Sequence, residues 1–212
     1  MSIRTKMFGV ALLGALMGQA HAGVTFTFTQ SGGNVLMQSS GVLDTSKLVA
    51  ASVFGWGGVG IETNDAPGSD IMGDTSAGGV DLAFRFSAGS NHSAWIGKLF
   101  TSDNFLWTSN GSTQFATYTQ DNGTRVPGIA IEAADLVGSQ WTPDVSWLVA
   151  GSFASLGLTA GTYTVTDARS NEFITIQVGE RQPPQDVPEP GSLALLGLGL
   201  AGTAFARRQR KA

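Results

Sequence analysis

Val24-Thr25-Phe26-Thr27-Phe28-Thr29 alternates strictly, with Val24, Phe26 and Phe28 on one side and three threonines on the other. A period of two is the signature of a β-strand with one buried face, and no helix can satisfy it. Val80 to Phe86 repeats the pattern. Further strand candidates are 35–40, 52–56, 95–100, 114–119, 128–132, 146–153, 162–166 and 172–178. Turn clusters separate them, among them Ser31-Gly32-Gly33-Asn34, Asn110-Gly111-Ser112 and Asp121-Asn122-Gly123. Residues 44–48 and 133–137 each suit one helical turn. Many short strands with one apolar face must close on each other, so the expectation for residues 23–180 is an all-β, antiparallel β-sandwich of jelly-roll-like type.

Composition narrows the chemistry. The chain has no cysteine and two histidines, which excludes disulfides, thiolate metal sites and a His-rich cage. Between Gly23 and Val187 six basic residues face fifteen carboxylates, a net charge of −9. Such a surface repels phosphate backbones, so no nucleic acid is expected as a partner.

Both ends carry addresses. Residues 1–22 combine a basic start, an apolar run from Met7 to Met17 and Ala20-His21-Ala22, the layout of a secretory signal peptide. The small residues Ala20 and Ala22 place the signal-peptidase cut after Ala22, with the Sec translocon and signal peptidase as partners. At the other end, residues 181–187 form a polar, proline-bearing linker. Pro188-Glu189-Pro190 follows, then an apolar stretch over 191–206 and a basic tail over 207–212 with Arg207, Arg208, Arg210 and Lys211. Sixteen residues make about 24 Å of helix against a hydrocarbon core of about 30 Å, so the span is marginal. The cations hold the tail on the cytoplasmic side as stop-transfer charges and leave the acidic domain outside. Pro188 and Pro190 stop the helix from running backwards, and Gly197, Gly199 and Gly202 weaken it.

This succession over residues 188–212 resembles the PEP-CTERM sorting signal of Gram-negative bacteria. The resemblance implies an exosortase, a membrane-embedded processing enzyme, as partner. It assigns Pro188, Glu189 and Pro190 as recognition motif, 191–206 as temporary inner-membrane anchor and 207–211 as stop-transfer charges. It also implies an anchored precursor released to the cell surface or extracellular matrix, in a setting of exopolysaccharide and biofilm. The stretch from Leu156 to Tyr163 with the strand after it resembles the closing hairpin of many such exported proteins.

Within the domain, motifs of chemistry are weak. Gly55-Trp56-Gly57-Gly58-Val59-Gly60 satisfies a dinucleotide fingerprint, with Asp81 downstream. The fingerprint needs a helix opening at its last glycine, and Asn64, Asp65, Pro67 and Gly68 break one, so no cofactor is expected. His92 sits in a polar turn beside Ser93 and is assigned to solvent rather than to a catalytic triad. Asp65, Asp70, Asp74 and Asp81 could offer oxygens to calcium but lack the spacing of a calcium loop, so no metal is expected. The five tryptophans could form a core, or two or three of them could present flat faces to sugar rings; Trp56, Trp95 and Trp107 are the candidate carbohydrate contacts. The functional expectation is a non-enzymatic surface or matrix protein. The alternatives are a carbohydrate-binding module and, behind it, a secreted glycoside hydrolase, for which fifteen acids single out no pair.

Overall fold

A computed structural model describes residues 23–53, 56–63, 70–91, 93–96, 99–119 and 126–179. The signal peptide, linker, sorting motif, apolar stretch and basic tail lie outside the described residues, as do His92 and the Asp121-Asn122-Gly123 turn. The chain divides into two units, Met1–Gly179 and Glu180–Ala212.

The described residues of the first unit are all-β. Its strands are β1 (Gly23–Ser31), β2 (Asn34–Asp44), β3 (Val49–Ala51), β4 (Val59–Ile61), β5 (Asp70–Asp74), β6 (Leu82–Arg85), β7 (Thr108–Ser109), β8 (Phe115–Tyr118), β9 (Gly128–Ile131), β10 (Leu136–Val137), β11 (Gln140–Trp141), β12 (Ser146–Ala150), β13 (Gly161–Thr166) and β14 (Phe173–Val178). One sheet runs β10-β11-β2-β1-β14-β13, with β12 paired to β2 and β7 to β12. The other runs β3-β6-β9-β8-β5-β4. Among the described strands every pairing is antiparallel except β1 with β14, which is parallel and places the first described strand beside the last. The expected helical turns appear as 3₁₀ turns at Thr45–Lys47 and Ala133–Asp135.

The alternation in β1 does what its period requires. Val24, Phe26 and Phe28 are fully buried while Thr25, Thr27 and Thr29 lie on the opposite, half-buried face. Gly32 and Gly33, both at positive φ, close the β1–β2 hairpin where residues with a Cβ would be strained. Phe26 stacks on Phe115 of the second sheet at 4.8 Å, and Phe115 stacks in turn on Trp147 at 5.7 Å. Trp107 meets Phe28 edge-on at 5.6 Å and lies tilted against Trp147 at 5.8 Å. The two inner faces thus share one aromatic core, the β-sandwich arrangement.

The outer faces differ from each other. In the first sheet, Thr164, Thr175, Thr25 and Ser40 are successive partners across four strands. One step along, Thr162, Gln177, Thr27, Gln38 and Ser146 form the next row. In the second sheet the register Ala51, Ala83, Ala130, Ala116, Gly73 and Gly60 makes a row of small residues.

Two strand expectations are corrected. Among the described residues of 95–100 there is no strand: Ser93–Trp95 is a 3₁₀ turn opened by Asn91, whose side-chain oxygen accepts from the Ser93 amide at 2.9 Å and hydroxyl at 2.7 Å, and Phe100 makes an isolated bridge to Leu158. Of 52–56, the described residues 52, 53 and 56 belong to no strand: β3 ends at Ala51, and the Trp56 ring lies over Gly73.

Candidate functional site

The three tryptophans expected to meet carbohydrate have different fates. Trp95 is fully buried and donates its indole N–H to the Tyr163 carbonyl at 3.0 Å, pinning the 3₁₀ turn to β13. Trp107 is 5% exposed and enclosed by Phe28 and Trp147. Neither presents a ring face for stacking on a sugar, and both are corrected to core, because burying a large aromatic removes more apolar area from water than any other side chain can. Trp56 is half-buried. Its ring covers Gly73 so closely that a Cβ there would fall 2.7 Å from it, and it tilts against Phe105 at 6.0 Å. The structure does not bring the three together.

The other motifs also resolve into local structure. The glycine at position 60 sits in β4, so a strand rather than a helix follows Gly57-Gly58. Asp74 is buried, and its carboxylate accepts from the Ser76 amide and hydroxyl, the Ser109 hydroxyl and the Trp147 indole at 2.8 Å, which ties β5 of one sheet to β7 and β12 of the other. Asp81 accepts from the Ala133 amide at 2.6 Å. The two aspartates therefore serve separate joints. Among the described residues no group of three or more His, Asp or Glu side chains converges as a metal site would.

Two acidic joints, at Asp167 and Glu172, were not legible in the sequence. Asp167, in the β13–β14 turn, collects the Arg169 amide at 2.9 Å and the Ser170 amide and hydroxyl at 2.7 and 2.8 Å on one oxygen, and the Ser87 amide on the other. Desolvation pushes its pKa up, but the donors from Ser87 and Ser170 together outweigh that and hold it down at about 2. Glu172, also buried, accepts from Lys47 at 2.9 Å and from the Asp44 amide at 3.1 Å. That hydrogen bond, with the charge of Glu172, raises the Lys47 pKa. Asp44 is lowered, first by the Ser46 hydroxyl. Burial and then the neighbouring Asp103 charge raise the Glu62 pKa. Asp135 is raised by burial. The signal that could have found Asp167 is local: Asp-x-x-Ser at the tip of a hairpin is a turn in which a carboxylate reaches back to amides two and three residues on.

These joints are architectural, and the comparison with known families points elsewhere in the chain. Residues 186–211 match the PEP-CTERM protein-sorting motif. The chain carries a PEP-CTERM sorting signal. No curated protein and no solved structure matches it. The PEP-CTERM match spans the proline-flanked glutamate, the apolar stretch and the arginines up to Lys211. It marks an exported protein with a membrane-anchored precursor that an exosortase sorts to the cell surface. Among the described residues no helix is long and apolar enough to cross a membrane. The PEP-CTERM segment itself lies outside them.

Proposed function

We propose that this protein is a non-enzymatic component of the cell surface or extracellular matrix. It is exported through Sec, cut after Ala22 by signal peptidase, held briefly in the inner membrane by residues 191–206 and then cleaved by an exosortase that recognises Pro188-Glu189-Pro190. Once free of its anchor it associates with exopolysaccharide. The observation that carries this reading is the match over residues 186–211. Its physical support is the shortness of the apolar segment in the sequence: as a helix it would reach about 24 Å, enough to delay release and too little to hold a protein well. Pro188 and Pro190 would keep the peptide before the apolar segment out of helical hydrogen bonds, which would leave its backbone open to a protease.

The test replaces Pro188, Glu189 and Pro190 by alanine in the producing cell and follows the protein by fractionation. The variant is expected to accumulate in the inner-membrane fraction while the unaltered protein reaches the surface or medium. Equal release of both would overturn the proposal.

A further inference from the structure

The outer face of the first sheet is the feature that neither the sorting signal nor the core explains. Its two central rows hold only hydroxyl and amide side chains, and no outward position in those rows is charged, in a segment that otherwise carries net −9. Thr162, Thr164, Gln38 and Ser40 are exposed, and Thr27 is half-buried between them. Toward β13 the groups bond sideways, Thr164 with Thr175 at 2.8 Å and Thr162 with Gln177. Toward β2 they do not: among the described residues the side chains of Thr25, Thr27, Gln38 and Ser40 have no hydrogen-bond partner, and their donors and acceptors face solvent. Strand geometry sets the pattern at about 4.8 Å between neighbours in a row and about 6.7 Å between rows, so five strands make a strip about 19 Å long. Apolar surface borders it, from Phe173 and Val42 on one side and Leu36 and Leu148 on the other.

We infer that this face binds a neutral polysaccharide chain laid across the strands. A sugar chain offers hydroxyls that both donate and accept, which hydroxyl and amide side chains answer in kind, and C–H patches that suit the flanking Phe173 and Leu148. Charge decides against the other polymers. An anionic glycan would meet the negative field of the domain, and a cationic one would be drawn to the acids elsewhere and not to this strip. A second copy of the same sheet would bury rows of hydroxyls against each other, at a desolvation cost that an apolar interface avoids. The site deepens the proposed association with exopolysaccharide and moves it from the tryptophans to the threonine face. It does not depend on how the anchor is removed.

Native affinity electrophoresis of the full secreted protein tests it, with galactomannan and a soluble β-glucan as neutral probes, alginate as anionic and chitosan as cationic. At least one neutral gel should retard the protein, and about 0.5 M NaCl should leave that retardation in place, since neutral contacts are not screened. Thr162→Ala and Gln38→Ala, each exposed and so harmless to folding, should together weaken it about tenfold, the effect of losing one or two net hydrogen bonds. Ser102→Ala, exposed and outside every strand of this sheet, should bind as the unaltered protein does, and the thermal midpoints of all variants should agree. Retardation by neither neutral gel, retardation only by alginate or chitosan, equal binding by the double variant, or self-association that the double variant abolishes would each overturn the inference. A failure here with normal surface delivery leaves the sorting assignment intact, and a failure of sorting with normal retardation leaves this one.

Discussion

Asp167→Asn removes one charge at a joint where the geometry sets the magnitude. The carboxylate is fully buried, and it joins the β13–β14 turn to Ser87, which follows β6 in the other sheet. Its pKa falls from 3.8 to about 2 in the folded protein. A drop of nearly two units corresponds to about 2 kcal/mol of stability, fully present above the unfolded value and lost as pH falls through the folded one. The amide in the variant keeps the shape but must turn one N–H toward donors that expect an oxygen, which adds about 1 kcal/mol. Urea unfolding of the two proteins should therefore differ by about 2–4 kcal/mol at neutral pH. About half of the charge-dependent part should be gone by about pH 3 and most of it by about pH 2. Taking the difference between variant and unaltered protein cancels the other carboxylates, including Glu62 and Asp135, whose raised values act in the opposite direction. A difference under about 0.5 kcal/mol at neutral pH, or one that does not shrink on acidification, would mean that the Asp167 carboxylate is exposed in a solvated turn and does not hold this joint.

Asp74→Ala should cost about 3–5 kcal/mol in the same assay, because the Trp147 indole and the Ser109 hydroxyl lose their acceptor inside the sandwich; a cost below about 1 kcal/mol would mean the joint is not made. Gly128→Ala should cost about 1–3 kcal/mol, since the new Cβ falls 2.1 Å from the Tyr118 ring and must displace it from the Phe84 carbonyl that its hydroxyl reaches at 2.8 Å; a lowered melting temperature checks it. Acrylamide should quench the tryptophan emission only weakly in the folded protein, because Trp95, Trp107, Trp141 and Trp147 are all within 5% of full burial; strong quenching would place at least two of them at the surface.

The sheet architecture was legible wherever one face of a strand was apolar and the other was not. Val24 to Thr29 announced β1, and Ser31 to Asn34 announced its hairpin. Legibility failed where tertiary contacts overrode local preference. Trp95 and Ile96 read as strand material, but the Trp95 indole finds the Tyr163 carbonyl only from a 3₁₀ turn. β5, with an aspartate at each end and Gly73 within it, has little intrinsic strand character and exists because Phe115 to Tyr118 pairs with it and Trp56 covers its glycine. The parallel pairing of β1 with β14 joins residues about 150 apart in the chain, and no local pattern encodes a partner at that distance. For the candidate sites, T-x-T in β1 and again in β13 was visible as sequence. That Thr27 and Thr162 fall in the same row, two strands apart, follows only from the strand order.

The proposed function rests on removal of the C-terminal segment once it has delivered the protein. Intact-mass spectrometry of the protein taken from the cell surface or medium addresses it most directly. The expected mass is that of a chain that starts at Gly23 and lacks Arg207 to Ala212; a surface-located chain whose mass includes that basic tail would show that the segment is not removed.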